Sequence, residues 1–443
     1  MSLSDKTPLT PEEALPDERL DRQVRIAGWN QEALARARVG VVGDDPWLTG
    51  LMVTSAAALG INRLTVVAPE LDERLLTAAR GLNPELNLAF FPGYFSHFLL
   101  EELLQGCTVL VDLGHHALGT KLLLNQAHQQ NLPLVRGDNF EEDGTAGLRL
   151  FTYCQGREWR DLLQVLPQTQ LPSPYRGDPV LALVTAGLVL EETKKLLLGE
   201  PVTAEVISYV RASLAEGAPP HPGPPKTENL KQKTDPTIAV VGAGALGNFV
   251  ALGLASLGFP RLTLIDPDPV EVTNLNRQIL FWDAVGQPKA EALARRIKEW
   301  FGLTVRVETS YVNRNFDLAE FAVVFDGTDN FESRILLSER CRENGQILIS
   351  GGTGVEAGQV VIFNPAQGGP TPAELLGLYD IVGRRQVDVQ ERQRASCVYA
   401  PEPAVIMTNQ IIGGLMVDAL RLLLAGEPAP NLFYDARGEK MLS

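Results

Sequence analysis

Histidine and cysteine are both scarce in this 443-residue sequence. The last of five histidines is His221, and the four cysteines, Cys107, Cys154, Cys341 and Cys397, form no C-x-x-C pair. Serine-histidine triads and H-E-x-x-H zinc sites are therefore excluded from the second half. A disulfide framework and a cysteine-rich zinc site are unsupported anywhere in the chain. We expect a protein of the reducing cytoplasm.

Basic residues are also in short supply. The sequence has 39 lysines and arginines against 54 aspartates and glutamates, which gives a formal net charge of −15. This balance argues against nucleic acid or an anionic membrane as the main partner. Residues 1–20 lack the basic and apolar regions of a signal peptide, so no export is expected. The apolar residues 411–426 are interrupted by Asp418 and Arg421, and we interpret them as a buried helix.

One segment of unusual composition divides the chain. Residues 216–236 are rich in proline, glycine and lysine and poor in apolar residues, which is typical of a linker. On either side, short apolar runs alternate with amphipathic segments, the pattern of an α/β domain with a largely parallel sheet. We predict one domain over residues 1–215 and a second over residues 237–443.

The two predicted domains share three sequence correspondences in the same order. The matching pairs are residues 37–50 with 237–250, 108–116 with 322–330, and 176–201 with 400–428. The period is too long for a solenoid. Three matches in register therefore indicate a duplicated domain.

A glycine-rich turn opens the second domain. The apolar run at residues 238–241 is followed by Gly242, Gly244 and Gly247 and then by an apolar helical pattern. Such glycines allow a tight turn, close approach of a phosphate and packing of the helix, whose N-terminus offers amides to an anion. Asp266 ends the next apolar run, where a carboxylate can accept hydrogen bonds from ribose hydroxyls. This pattern fits NAD as well as ATP, or a tight turn without a ligand.

Cationic residues downstream favour ATP. The sequence NLNRQ places Asn274, Arg277 and Gln278 after the second strand, and Lys289 lies at the start of an amphipathic helix. Arginine and lysine suit a triphosphate because they neutralise the charge that builds on departing pyrophosphate. Each of these cations alone would be an ordinary solvated charge.

A second acidic motif, DGTDN, follows an apolar run and spans residues 326–330. Its carboxylates are expected over the crevice in which doubly wound sheets bind ligands. Asp329 is well placed for Mg²⁺. The alternative is an aspartate that caps the helix expected to begin near Phe331.

In this order, GAGALG, IDPD, NLNRQ, GQPKA and DGTDN resemble the adenylation domain of the ubiquitin-activating-enzyme superfamily. That superfamily includes the thiamine- and molybdopterin-synthesis adenylyltransferases, and the resemblance covers residues 235–443. It implies two Rossmann-like adenylation domains arranged as an intramolecular pseudo-dimer. It also implies the roles of the second domain's site residues: Asp266 holds the ribose, Arg277, Gln278 and Lys289 hold phosphates, and Asp329 binds Mg²⁺.

The first domain resembles a degenerate copy. Residues 20–43 are similar to the superfamily's opening segment, in which an arginine, here Arg22, reaches across the dimer interface to the opposite ATP. Within the first domain, Asp44 and Asp45 replace the glycine-rich turn and would repel phosphate. Ala68 stands where the ribose carboxylate should be, and His115 where Asp329 would bind metal. We expect an inactive domain that donates Arg22 to an active one.

Cys397 is the candidate nucleophile. It follows a polar, charged stretch and precedes an apolar helix, and nearby arginines and a helix N-terminus favour the thiolate. Its position resembles that of the catalytic cysteine in the compact activating enzymes for autophagy-type and UFM-type modifiers. A plain buried cysteine is the alternative, and Cys107 and Cys341 are expected to be core residues.

The leading hypothesis is therefore MgATP-dependent adenylation of the C-terminal glycine of a ubiquitin-like protein. Capture as a thioester on Cys397 and transfer to a conjugating-enzyme-like partner follow. Single-chain, two-copy proteins of this kind resemble the activating enzymes of bacterial ubiquitin-like conjugation operons. The alternatives are a sulfur-carrier-protein adenylyltransferase without a thioester, an NAD-dependent oxidoreductase and a pseudo-enzyme scaffold. A further homodimer is left open, and neither nucleic acid nor membrane is expected as a partner.

Overall fold

The computed structural model describes residues 18–142, 145–154, 164–211, 235–383 and 402–437. These residues form two seven-stranded sheets. The strands of the first sheet are β1 (Arg38–Gly43), β2 (Arg63–Ala68), β3 (Asn87–Pro92), β4 (Val109–Leu113), β5 (Leu134–Glu142), β6 (Thr145–Tyr153) and β7 (Ile207–Val210). The strands of the second are β8 (Ile238–Val241), β9 (Leu262–Ile265), β10 (Arg306–Glu308), β11 (Val323–Asp326), β12 (Ile347–Thr353), β13 (Ala357–Phe363) and β14 (Leu432–Asp435).

Both sheets have the same strand order. The first runs β3-β2-β1-β4-β5-β6-β7 and the second β10-β9-β8-β11-β12-β13-β14. In each sheet the first five strands of this order pair in parallel. Each of the last two strands pairs antiparallel with the strand before it. The predicted α/β fold with two largely parallel, Rossmann-like units is confirmed. The predicted linker, residues 216–236, lies outside the described residues except for its last two, so the domain boundaries stay predictions.

Helices cover both faces of each sheet. Those of the first half are α1 (Asp21–Val24), α2 (Gln31–Arg36), α3 (Pro46–Ala58), α4 (Glu73–Leu82), α5 (Ala117–Gln130) and α6 (Pro179–Leu198). Those of the second half are α7 (Ala245–Ser256), α8 (Lys289–Phe301), α9 (Phe331–Asn344), α10 (Pro372–Leu375) and α11 (Ile406–Ala425). Short 3₁₀-helices span Glu18–Leu20, Phe98–Leu104, Val272–Asn274 and Ile279–Phe281. Because both faces are covered, central strands such as β8 are buried without interruption.

The two halves share one hydrophobic core at the contact between α6 and α11. Close approach depends on glycine: a Cβ atom at Gly187 would lie 2.7 Å from the Ile411 side chain, and one at Gly414 would lie 2.6 Å from Val184. Polar contacts also cross the interface, such as the hydrogen bond from Ser55 Oγ to Gln410 Oε1 at 2.8 Å. The halves therefore pack as an intramolecular pseudo-dimer.

Helix α11 is long and apolar enough to cross a membrane by length and composition alone. It forms core instead, because 89% of its most apolar 18-residue window is buried inside the protein. The buried helix predicted over residues 411–426 is confirmed, although it begins earlier, at Ile406.

Candidate functional site

The candidate site lies where three neighbouring parallel strands end. Strand β8 pairs with β9 on one side and with β11 on the other, so the residues that follow β8 and β9 lie near the end of β11. The chain leaves β8 toward β9 and later returns on the opposite side with β11. A crevice opens at such a reversal of strand order, outside the carboxyl ends of the strands, and ligands bind there.

Three glycines form the turn after β8, and the backbone requires glycine at only two of these positions. Gly242 has a φ of +90°, and a Cβ atom at Gly247 would lie 1.8 Å from the Gly242 carbonyl oxygen, so the fold itself requires both. A Cβ atom at Gly244 would meet nothing within 4 Å. Gly244 caps α7 without a side-chain hydrogen bond, so no capping side chain satisfies the first amides of α7. This geometry suits a phosphate.

Asp266 is fixed against the same turn. It is 5% exposed, and its Oδ2 accepts a hydrogen bond from Ala243 N at 2.7 Å while Oδ1 accepts one from Asp268 N at 2.9 Å. Burial raises the pKa of Asp266, and the nearby Lys289 cation opposes that change. Each carboxylate oxygen keeps a lone pair for a ligand hydroxyl. Lys289 begins α8, as predicted, and its Nζ lies 3.2 Å from Asp268 Oδ2.

Arg277 is a largely buried cation beside this crevice. Its Nη1 donates to the Thr273 carbonyl and to Asn276 Oδ1, both at 2.7 Å. Burial, with the positive charge of Arg22, lowers the pKa of Arg277 to about 10, while Glu271 and Asp329 oppose the shift. Arg277 therefore remains protonated at neutral pH. Arg22 and Asp329 each lie within electrostatic reach of Arg277, although all three residues are distant in sequence.

The two other residues predicted from NLNRQ differ in their surroundings. Asn274 Oδ1 accepts from Glu271 N at 3.0 Å in a capping box, a contact that shapes the turn and accounts for its burial. Gln278 is buried, and its Oε1 has no hydrogen-bond partner among the described residues. The same holds for Nδ2 of Asn248, whose Oδ1 accepts from Leu280 N at 3.1 Å. Buried polar atoms of this kind are available to a ligand.

Asp329 is exposed at the start of α9. Asn330, not Asp329, caps the helix, because its side chain accepts from Ser333 N at 2.7 Å. The capping alternative for Asp329 is therefore wrong. The described residues contain no group of three or more histidine, cysteine or acidic side chains able to hold a metal. A single carboxylate instead suits Mg²⁺, which commonly binds one or two protein carboxylates together with substrate phosphates.

Sequence reasoning missed Arg334. This buried side chain donates from Nε and Nη2 to the Thr328 carbonyl at 3.1 and 2.7 Å, and from Nη2 to the Gly351 carbonyl at 2.7 Å. It thereby ties the loop that carries Asp329 to β12. The signal was available as an arginine in the first turn of the helix after DGTDN.

A segment of the first half contacts the second half at this site. Arg22 Nη1 donates to the Glu402 carbonyl at 3.3 Å, and Ala404 N donates to the Arg22 carbonyl at 3.3 Å. The next residue, Gln23, accepts a hydrogen bond from Asn276. The first half thus places Arg22 beside the second half's Arg277, and its action on ATP stays a prediction.

In the corresponding crevice of the first half, the Asp45 carboxyl group occupies the N-terminus of α3. Asp45 caps α3: its Oδ1 accepts from Trp47 N and Leu48 N, and its Oδ2 accepts from Gly177 N at 2.7 Å. The carboxylate thus satisfies the helix N-terminal amides that would otherwise face a phosphate. The His115 ring stacks on Tyr175 with a centroid distance of 3.5 Å. These contacts give a physical basis for the predicted loss of nucleotide binding.

The cysteines separate by environment. Cys107 and Cys341 are buried, and burial raises the pKa of their thiols to about 11 and about 12. Both are therefore unreactive core residues, as predicted. Cys397, the predicted nucleophile, lies outside the described residues.

A family model, described as the ThiF family, matches residues 219–440. The chain belongs to the ThiF family. The "SAMP-activating enzyme E1" of Haloferax volcanii is 37% identical over 223 residues, which are 45% of this chain and 72% of that protein. The "Sulfur carrier protein adenylyltransferase" of Thermus thermophilus is 35% identical over 151 residues, 33% of this chain and 54% of that protein.

Other similarities of this ThiF-family chain are more partial. Five further curated relatives are covered over only 30 to 38% of their own length. The crystal structure of E. coli MccB with ATP superposes on 47% of this chain and 62% of that one, with a TM-score of 0.39 and 19% identity.

Proposed function

We propose that the second half adenylates the C-terminal glycine of a ubiquitin-like protein with MgATP. Capture of the activated carboxyl group on Cys397 and transfer to a conjugating-enzyme-like partner then follow. The observation that carries the proposal is that Arg22 of the first half and Asp329, which follows β11, both act electrostatically on the buried Arg277, in the same half as the glycine turn with its open position at Gly244. Hydride transfer to NAD does not require Arg22, Arg277 or Asp329 at the site. The NAD-dependent oxidoreductase is therefore the less favoured alternative.

In the first step, a carboxylate oxygen of the modifier attacks the α-phosphorus of ATP. A bond forms between that oxygen and phosphorus, the bond to the β-phosphate bridging oxygen breaks, and pyrophosphate leaves. Arg22, Arg277 and Lys289 stabilise the charge that develops on the phosphates, and Asp266 accepts from the ribose. Mg²⁺, held by Asp329 and the nucleotide, would neutralise phosphate charge.

In the second step, the Cys397 thiolate attacks the carbonyl carbon of the acyl-adenylate. A carbon-sulfur bond forms and AMP leaves with the electron pair of the anhydride bond. A thiolate is sufficiently nucleophilic for this reaction without a strong general base, so the absence of histidine from residues 222–443 is no obstacle.

A second candidate ends at the adenylate. The relative from T. thermophilus is named a sulfur carrier protein adenylyltransferase, which favours activation of a sulfur carrier without a thioester. In that case Cys397 has no catalytic role, and the two candidates share only the first step.

The decisive experiment combines ATP–pyrophosphate exchange with detection of a covalent adduct, using candidate ubiquitin-like proteins that end in glycine. We expect exchange and a DTT-sensitive adduct that is lost in Cys397→Ala while exchange survives. Cys154→Ala serves as the control and should keep the adduct. Exchange without an adduct favours the sulfur-carrier candidate, and no exchange with any candidate contradicts both.

We also propose a cytoplasmic protein, supported by four cysteines without a C-x-x-C pair, and we propose no nucleic acid or membrane partner, for which the net charge of −15 is the support. A homodimer would be an addition to this scheme rather than a requirement, because Arg22 comes from the same chain as Arg277. Sedimentation of the full chain over a range of protein concentrations tests it.

A further inference from the structure

Gln23 connects the first half to the candidate site through a chain of buried hydrogen bonds. Its side chain is fully buried although it lies one residue from Arg22. Its Nε2 donates to the Leu59 carbonyl at 2.9 Å and to Gln31 Oε1 at 2.6 Å. Both donor hydrogens are thereby used within the first half. The remaining acceptor, Oε1, faces the second half.

Asn276 is the next member of the chain and is also fully buried. Its Nδ2 donates to Gln23 Oε1 at 3.1 Å and to the Ala404 carbonyl at 3.2 Å. With both amide hydrogens engaged, the amide cannot flip without losing both bonds. Its Oδ1 is therefore fixed toward Arg277, from whose Nη1 it accepts at 2.7 Å.

We propose that Gln23 is a positioning residue for the second half's nucleotide site, acting through Asn276 on Arg277. This inference rests on the proposed function in that it takes Arg277 to bind phosphate. Arg277 needs such support because a second cation, Arg22, lies within electrostatic reach and repels it. An arginine held in place before the ligand arrives loses less freedom on binding, so the affinity for a phosphate rises.

The test is a double-mutant cycle on the full chain, with the Kd of MgATP and of MgAMPCPP measured calorimetrically. We expect Gln23→Ala to raise Kd about tenfold, the order of magnitude by which outer-shell partners act. In the Arg277→Ala background the same change should leave Kd unaltered, because Gln23 then has nothing to position. An equal loss in both backgrounds would mean a general structural role and would overturn the proposal.

Gln410→Ala is the matched control. Gln410 is also a fully buried glutamine with a hydrogen bond between the halves, but its Oε1 accepts from Ser55 Oγ, which is not a candidate site residue. We expect Kd within about twofold of the wild type for this variant. A comparable loss in Gln410→Ala would show that any weakening of the interface impairs binding, and would also overturn the proposal.

Gln23→Met provides a second variant that keeps the side chain's approximate volume and removes only the amide. It should raise Kd as Gln23→Ala does. If neither variant folds cooperatively, Gln23 is a structural residue and the proposal is rejected. Wild-type protein that binds neither nucleotide contradicts the proposed function itself. Wild-type binding that weakens in Arg277→Ala but not in the Gln23 variants contradicts the positioning role alone.

Discussion

Arg22 and Glu402 are joined by a hydrogen bond although 380 positions separate them in the chain. The Arg22 guanidinium donates to the main-chain carbonyl of Glu402, and the Nε atom of Arg22 is buried without a protein partner in the described part of the chain. The bond therefore places a cation of the first half at the second half's site and leaves a donor available to a ligand.

The first prediction concerns this arginine. Arg22→Ala should lower kcat for ATP–pyrophosphate exchange by about 10³-fold, the lower end of the effects known for arginine fingers, with a smaller change in KM for ATP. The reason is that Arg22 is expected to act on charge that develops only in the transition state. Steady-state exchange kinetics measure both constants.

Arg25→Ala is the control for that experiment. Arg25 lies one helical turn away, is exposed and pairs with Asp21 at 2.9 Å. Exchange should be unchanged in this variant. Unaltered exchange in Arg22→Ala would show that Arg22 takes no part in the reaction.

The fold was largely predictable from the sequence because the duplication is visible in it. Residues 37–50 and 237–250 match, and they become β1-α3 and β8-α7 at equivalent places in the two sheets. Apolar runs that end in glycine or aspartate indicate where the buried strands end. Ligands of such sheets bind at the carboxyl ends of the strands, so the runs also indicate where the site lies. Lys289 and Asp329 could therefore be placed at helix starts without the structure.

Contacts across the halves could not be predicted, because spacing along a chain gives no information on pairs as distant as Gln23 and Asn276. Motif membership also gave no sign of one local contact, and the binding of ATP by Asn274 stays a prediction. Asn274 belongs to NLNRQ, yet its side chain has a local capping contact with Glu271. In the first half, the repulsion of phosphate by Asp45 stays a prediction, and its hydrogen bond from the Gly177 amide depends on a fold that brings together residues 132 positions apart.

The second prediction separates two glycines. Gly244→Ala should unfold with a free energy close to that of the wild type, since its φ is −68° and a Cβ atom meets nothing within 4 Å. The methyl group would nevertheless occupy the phosphate's approach, so the Kd of MgATP should rise at least about tenfold. Thermal unfolding and calorimetric titration measure the two effects independently.

Gly247→Ala is the contrasting variant, because its Cβ atom would lie 1.8 Å from the Gly242 carbonyl oxygen. It should lower the free energy of unfolding by at least about 1 kcal/mol, through strain at the turn. If Gly244→Ala bound MgATP as well as the wild type, the phosphate would not lie at this turn.

The third prediction concerns metal. Asp329→Asn should leave the free energy of unfolding unchanged, because the exposed Asp329 does not cap α9, and should lower exchange at limiting Mg²⁺. Raising the Mg²⁺ concentration should restore part of the activity, since the nucleotide phosphates supply other ligands. The measurement is exchange rate against metal concentration.

Asn330→Ala is the matched control for Asp329→Asn. It removes the α9 cap and should lower the free energy of unfolding by about 1 kcal/mol without shifting the Mg²⁺ dependence. An Asp329→Asn variant with an unchanged Mg²⁺ profile would assign the metal to other ligands.

The fourth prediction concerns Asp44 in the first half. Burial raises the pKa of this carboxyl group to about 6, with Asp112 and Asp45 adding to the shift and Arg136 and the hydrogen bond from His115 N opposing it. At pH values between the pKa of this group in the unfolded chain and its pKa in the folded protein, only the folded state holds the proton. The contribution of Asp44 to the free energy of unfolding therefore falls as pH rises through this range. Asp44→Asn removes that dependence and keeps an acceptor for His115 N.

Relative to the wild type, Asp44→Asn should therefore gain about 2 to 3 kcal/mol of unfolding free energy between about pH 4 and about pH 7. Urea denaturation at several pH values measures this difference. Comparison of the two proteins is essential because burial lowers the pKa of His115 to about 4, which makes stability rise with pH over part of the same range.

Asp72→Asn supplies a control of opposite sign. Although burial opposes it, the Arg74 guanidinium lowers the pKa of Asp72 below its usual value. The wild-type carboxylate therefore stabilises the fold above the unfolded pKa, and this contribution is lost as pH falls through the folded one. Below about pH 4, where this change falls, the difference between Asp72→Asn and the wild type should change with pH in the direction opposite to that of Asp44→Asn between about pH 4 and about pH 7, so the urea denaturation series must extend below pH 4. If the difference for Asp44→Asn instead changed with pH in the same direction as that for Asp72→Asn, the pKa of Asp44 would not be raised in the folded protein. Its carboxyl group would then be ionised from about pH 4 to about pH 7 and stabilised by the positive charge of Arg136.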